Sequence, residues 1–222
     1  MNTKPHIIIC MRDDNCYIHQ LLAKTPDNDK LAARILDRRV YGDTEELWII
    51  VRGPPTQLRS LDATIRAEKD LRYQCLQSTK HSRLYRIIVP KGICRNHTCP
   101  LDNTPPAALL KSIIVTPRGL IVEYIVAKHT LRRELEAQGY RILEDKPIAP
   151  LDTGLTPKQE EILVEAYLKG YYNYPRKINL RQLARELGVS VSTLAEQLRK
   201  AEAKVVEAYV HSELPHYIHR RE

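Results

Sequence analysis

The 222-residue sequence predicts an α+β amino-terminal domain followed by a separate all-α carboxy-terminal domain. Three observations carry that expectation. Upstream of residue 147, short β-branched runs alternate with a stretch of helical spacing. The segment Lys146-Pro147-Ile148-Ala149-Pro150-Leu151-Asp152-Thr153-Gly154 then breaks both patterns, because two prolines and a glycine disfavour a continuing helix or central strand. Downstream, three amphipathic stretches each begin at a residue suited to capping a helix.

Taken in order, HIIICMR (6–12), ELWIIVR (46–52) and LYRIIVP (84–90) read as strands bounded by turn residues. Leu31, Ile35 and Val40 fit a helix or a strand about equally, and a strand entering the turn Tyr41-Gly42-Asp43 gives ELWIIVR its hairpin partner. Residues 54–77 place Leu58, Leu61, Ile65 and Leu71 at helical spacing after a proline pair, which predicts a helix. SIIVTP and LIVEYIVA flank the hairpin signal Pro117-Arg118-Gly119. HTLRRELEAQGY then reads as a helix stopped by Gly139, and YRILED as a closing strand. The order is near β-α-β-β-α-β, then (α)-β-β-α-β. It predicts a ferredoxin-like or ACT-like αβ sandwich over residues 1–146, or two such units sharing an edge or strand with a split near 90–100. The two halves show no sequence repeat. A linker over 147–154, a helical domain over 155–210 and a tail over 211–222 complete the expected plan.

The helical domain is the strongest signal. Thr156 can cap a helix with Pro157 at its first position and Gln159 three residues on, a capping-box arrangement. Ile162, Leu163, Ala166 and Tyr167 recur on one face, and Gly170 ends the helix. Asn179 caps a second helix carrying Leu180, Leu183, Ala184 and Leu187. Gly188 follows, and Ser190 caps a third with Leu194, Leu198, Ala201 and Val205 inward, running to about Ala208. Helix, glycine-bearing turn and capped helix is helix-turn-helix spacing. The third helix leaves Ser192, Thr193, Glu196, Gln197, Arg199 and Lys200 facing out. Short hydrogen-bonders sit near its amino end and cations further along, the order suited to base edges and then phosphate. Arg176, Lys177, Arg181 and Arg185 add backbone contacts around the second helix, and the hydroxyl of Ser190 joins the same surface. The partner expected is double-stranded DNA.

The stretches LTPKQEEILVEAYLKGYYNYPRKI and LRQLARELGVSVSTLAEQLRKAEAKVV resemble the helix-turn-helix domain of the archaeal bacterio-opsin activator family. The resemblance covers about a quarter of the chain. It implies a transcription regulator, with Val191 through Lys200 as the recognition helix; a proline often stands where this chain has Val191. The amino-terminal domain lacks the PAS-like and GAF-like modules of the halophilic activators, so control of opsin genes is not implied. It is more similar to short, cysteine-containing members of that family. The implied role of the amino-terminal domain is sensing of an effector, dimerisation, or both. A homodimer is expected, since the far end of the third helix offers Val205, Val206 and Tyr209 to a partner subunit.

Composition limits the alternatives. Hydrophobic residues at 43% and charged residues at 28% give an ordinary globular balance that argues against wholesale disorder. No apolar run approaches the roughly 18 residues of a membrane span, and the first residues lack a signal-peptide shape, so a cytoplasmic protein away from membranes is expected. The net charge of +8 suits a polyanion, but its distribution does not single out the helical domain. Residues from Leu151 onward hold 11 Lys and Arg against 10 Asp and Glu, while residues 1–150 hold 24 against 17.

Five cysteines, Cys10, Cys16, Cys75, Cys94 and Cys99, form an odd set better suited to free thiols or a metal than to a disulfide framework. Cys94, His97 and Cys99 lie within six residues and could wrap one Zn²⁺ or another transition-metal ion. Cys75 and His81, or Cys10, Cys16 and His19, could complete such a site. The bland alternative is that Cys10 and Cys75 are buried core residues and the loop is unligated. Catalysis is not expected. Cys99 and His97, two apart on an extended loop, point to opposite sides with no third orienting group. The zinc-deaminase signature, a P-loop and a Gly-rich dinucleotide motif are all lacking. The carboxylate pairs Asp13-Asp14 and Glu45-Glu46 read as solvated loop residues. The reading of another class is a metal-binding adaptor whose terminal helices meet the transcription machinery rather than DNA.

Overall fold

In the computed structural model, which describes residues 5–13, 16–93, 99–127, 131–147 and 154–214, the chain forms two units, Met1–Ile148 and Ala149–Glu222. The first runs β1 (His6–Arg12), α1 (Tyr17–Lys24), β2 (Ala32–Tyr41), β3 (Thr44–Arg52), α2 (Pro55–Ala67), β4 (Arg72–Ser78), β5 (Ser82–Pro90), β6 (Ala108–Thr116), β7 (Gly119–Val126), α3 (Leu131–Ala137) and β8 (Arg141–Pro147). Its strands join one sheet in the order β4-β5-β3-β2-β6-β7-β1-β8, every neighbouring pair antiparallel.

The halves of that sheet meet at a short seam, where β2 pairs β6 only through Ala33↔Val115 and Arg34↔Ile114. One half is β4-β5-β3-β2 and the other β6-β7-β1-β8. Helix α1 follows β1 of the second half yet leads into β2 of the first, so the chain crosses between halves before either is complete. A continuous core forms over one face: Ile8, Val51, Tyr85, Val115, Val122 and Tyr124 from the strands meet Leu21 and Leu22 of α1, Leu58 and Leu61 of α2, and Leu135 of α3. Alternation along each strand places these residues on the same side. A smaller cluster, Ile9, Ala32, Ile114 and Ile121, is also buried.

Three expectations are corrected here. The helix expected over 54–77 stops at Ala67, and Arg72–Ser78 is a strand instead. Leu58, Leu61 and Ile65 do line one buried helical face, but the Lys69-Asp70 turn intervenes and Leu71 is buried from outside the helix. Strand β4 is the sheet's outer edge with all seven residues exposed, so Cys75 is exposed rather than a core residue. The pair Glu45-Glu46 is not solvated loop either: both lie in β3 and are buried. Glu45 accepts hydrogen bonds from Arg38 Nε at 2.9 Å and from the Gly92 N–H at 2.8 Å. Glu46 accepts from Trp48 Nε1 and Arg86 Nη2, each at 2.6 Å. Burying a carboxylate is tolerable only with such partners.

The second unit comprises α4 (Pro157–Leu168), α5 (Leu180–Glu186) and α6 (Val191–Glu213). Ile162, Ala166, Ile178, Leu183, Ala184, Leu194 and Leu198 form its core. Among the described residues of the chain, no helix is long and apolar enough to cross a membrane.

Candidate nucleic-acid interface

Each helix of the second unit starts where local chemistry dictates. The Thr156 hydroxyl accepts from Gln159 N–H while Gln159 Oε1 accepts from Thr156 N–H; Asn179 and Gln182 repeat the exchange at α5. These reciprocal bonds satisfy amide donors that have no partner inside the helix. Ser190 Oγ accepts from Thr193 N–H at 3.0 Å and so starts α6. Between α5 and α6 the chain reverses within a few residues, and Gly188 sits at φ +65°. Only glycine takes that conformation without strain, and the Val189 N–H closes the turn on Ala184 O at 3.0 Å.

The core side of α6 is set by Leu194, Leu198 and Ala201, all buried. Away from it, Ser192, Thr193, Glu196, Arg199 and Lys200 are exposed. Ala195, not foreseen from the sequence, is exposed too and stands at the i, i+3 and i+7 spacing that joins Ser192, Ala195 and Arg199 in one stripe. The signal was available, since helical spacing places 195 there, and a small apolar residue on a reading face suits a thymine methyl. Gln197 differs from the rest: it is half-buried, and its Oε1 accepts from Gln159 Nε2 of α4 at 3.4 Å. Glu196 and Lys200 pair at 2.6 Å, and the Lys200 ammonium holds the Glu196 carboxyl below its ordinary range.

Arg176, Lys177, Arg181 and Arg185 are all exposed. From Tyr171 to Arg185 the chain holds these four cations and no Asp or Glu. Carboxylates flank that stretch: Glu160, Glu161 and Glu165 on α4, Glu186 at the end of α5, where it pairs with Lys169 at 2.7 Å, and Glu196, Glu202, Glu207 and Glu213 on α6. Near-neutral net charge therefore conceals a carboxylate-free stretch of exposed cations, and local potential rather than net charge attracts a polyanion.

Two details of the helical domain depart from expectation. Tyr167 faces solvent at 69% exposure, because the inward pair of α4 is Ile162 and Ala166. Helix α6 continues to Glu213, five residues past the expected end, with Val206 and Tyr209 exposed beyond the last buried position at Ala201.

Residues 155–207 match the family model described as an HTH DNA binding domain. This segment is a helix-turn-helix of the bacterio-opsin activator type. The chain is similar to three proteins of the archaeon Haloferax volcanii. One, a candidate transcriptional regulator, is 33% identical over 103 residues, which cover 46% of this chain and 16% of that protein. A dimethyl sulfoxide reductase transcriptional activator is 38% identical over 82 residues, 36% of this chain and 38% of the relative. The transcriptional regulator NarO is 36% identical over 53 residues, 24% and 25% of the two chains. The matched stretches thus span well under half the length of each relative.

In the first unit, Cys94 and His97 of the expected metal loop lie outside the described residues, and Cys99 is half-buried with its thiol pushed up by burial. Cys99 lines a small apolar pocket together with Cys16, Ile35, Leu47, Leu101 and Leu120. Cys16 caps α1, its Sγ accepting from the His19 N–H at 3.4 Å. Cys10 is fully buried, its thiol pushed up to about 12 by burial and donating to Val122 O. Among the described residues, no group of three or more His, Cys, Asp or Glu is arranged to hold a metal ion.

Proposed function

We propose that this chain is a sequence-specific, DNA-binding transcription regulator, with α6 entering the major groove. The observation that supports this most is the exposed stripe Ser192, Thr193, Ala195, Glu196, Arg199 and Lys200 on a capped helix, beside a segment whose only charges are positive. Small hydrogen-bonding groups meet base edges, while Arg199 and Lys200 meet phosphate about two turns later. A lone helix-turn-helix contacts few base pairs, so a two-fold dimer is the natural complement. The exposed Val206 and Tyr209 on the extension of α6 are the surface we assign to the second copy.

For the first unit we propose a ferredoxin-like or ACT-like sensing role. Its half β8-β1-β7-β6 has the strand order of a β-α-β-β-α-β sandwich whose first crossover carries β2–β5 as an insertion. The meeting of Cys16 and Cys99 in one pocket supports thiol or metal chemistry as the input, with Cys94 and His97 as further ligands. The deciding experiment is genome-wide crosslinking of the full chain to DNA, followed by a gel shift on the recovered site. Enrichment of one motif with inverted half-sites about 10–10.5 base pairs apart, or a multiple of it, is expected. Uniform recovery of the genome, with no sequence preferred in the gel shift, overturns the reading. Metal content of protein purified without chelators tests the input separately.

A further inference from the structure

The connection between α4 and α5 is built more firmly than its eleven residues, 169–179, require. Gly170 sits at φ +75°, where an added Cβ would press on the Lys177 side chain at 2.9 Å. Its carbonyl accepts from the Asn173 N–H at 3.2 Å and the Lys177 N–H at 3.1 Å, which closes residues 170–177 on themselves. Inside the closure the Arg176 guanidinium lies over the Tyr171 ring at 4.5 Å, and Tyr171 meets Tyr172 edge-on at 5.2 Å. Tyr172 Oη donates to Glu202 Oε1 at 2.7 Å, which moors the loop to the helix that carries the reading stripe.

At the tip of this braced loop stands Tyr174, whose exposure of 103% leaves both ring and hydroxyl wholly in water. Exposed single apolar residues are common and need no explanation. This one is unusual because its loop is already ordered, so a partner that covers the ring meets little further ordering cost. The partner's chemistry follows from the neighbours. Arg176 and Lys177 are exposed two and three residues on, Arg181 and Arg185 follow, and no carboxylate occurs from Tyr171 to Arg185. A presented tyrosine amid four cations, with the neighbouring Glu186 paired to Lys169 and Glu202 held by Tyr172, fits a sugar–phosphate backbone, where a ring packs on deoxyribose and a phenol donates to phosphate.

We propose that the loop Tyr172–Lys177 is a second DNA contact, with Tyr174 lying on the backbone beside the half-site read by α6. The inference rests on the DNA-reading role proposed above and adds residues to it. The contact positions the protein and carries affinity, while base choice stays with α6. Tyr174 acts without charge, and Arg176 and Lys177 act through theirs.

The test uses the full chain with an operator duplex and a random duplex of equal length, titrated at several salt concentrations. Tyr174→Ala is expected to weaken both duplexes by a similar factor, about three- to ten-fold, the size of one net hydrogen bond with some ring packing. Its salt slope should match the wild type, whereas Arg176→Ala or Lys177→Ala should lower the slope by about one. Hydroxyl-radical footprints should lose protection flanking the half-site in Tyr174→Ala only. Full exposure makes loss of folding an implausible cause, and an unchanged thermal melt checks it. If Tyr174→Ala binds both duplexes within two-fold with an unaltered footprint, the proposal is overturned. If it does so while transcription in a purified system falls, the loop meets a protein and the proposal is equally overturned. Failure of the wild-type chain to bind any duplex would instead remove the DNA-reading role on which this rests.

Discussion

Arg38→Ala should be among the most damaging single changes in the first unit. Arg38 is only 10% exposed and bridges the two acids Glu45 and Asp102, at 2.9 and 2.5 Å. Burial alone would lower its pKa, yet the hydrogen bonds to Asp102 and Glu45 outweigh that and raise it. The magnitude comes from Glu45, which is 1% exposed. Removing one member of a buried pair costs about 3–5 kcal/mol, because the other charge stays buried without compensation. Glu45 keeps the Gly92 N–H, which points to the lower end, about 3 kcal/mol; the bond to the exposed Asp102 adds less than about 1 kcal/mol. Trp48, the single tryptophan, donates to the neighbouring Glu46 and reports this unit alone. Its fluorescence in a urea titration should show a midpoint lower by about 1–3 M, given slopes of about 1–3 kcal/mol per molar. The control is Arg38→Met combined with Glu45→Gln, which removes both charges but leaves an acceptor for Gly92, and should recover at least half of the loss. A single-variant cost below about 1 kcal/mol, or a double variant no better than the single, would refute the argument from buried charge.

Other outcomes follow from the second unit and the cysteines. Ser190→Ala should destabilise α6 by about 0.5–2 kcal/mol, read as a lower melting temperature by ellipticity, with Ser190→Asp restoring most of it. Thr193→Ala should cost about 1–3 kcal/mol at the operator and little on random duplex; equal losses on both would end the base-reading role. Lys200→Ala should weaken both duplexes and reduce the salt slope by about one, whereas Glu196→Gln, which frees Lys200 from its 2.6 Å partner, should strengthen random binding. Among the described cysteines, Cys75 should be alkylated first and Cys10 only on unfolding, since the reactive thiolate is suppressed where burial lifts the pKa to about 12; mass spectrometry of timed samples gives the order.

The features legible in the sequence are those set by neighbours in the chain. Thr156, Asn179 and Ser190 act across three residues, so their caps and the helix starts can be read directly. The hairpin through Gly42 is similarly local, with Tyr41 paired to Thr44. Strand β4 was hidden because every one of its residues is exposed, which leaves no alternation to detect. Helix α1 is capped by a thiol, not by a hydroxyl or carboxylate, so its start carries no ordinary cap signal. The burial of Glu45 depends on Arg38 across a hairpin and on Gly92, 47 residues away. In the second unit, the carboxylate-free stretch from Tyr171 to Arg185 can be read from the sequence, whereas the exposure of its four cations depends on the fold.

The place of β1 imposes a timetable. Ile8 lies opposite Tyr124 of β7 on one side and Asp145 of β8 on the other. The first strand of this unit to be made therefore waits for its last strands, about ten seconds or more at ordinary elongation rates. Meanwhile β2 to β5 find partners among themselves, since β3 pairs both β2 and β5, and β5 pairs β4. A nascent chain thus carries Ile7, Ile8 and Ile9 unpaired while the middle of the unit closes, and closure of the sheet is the event that ends the exposure.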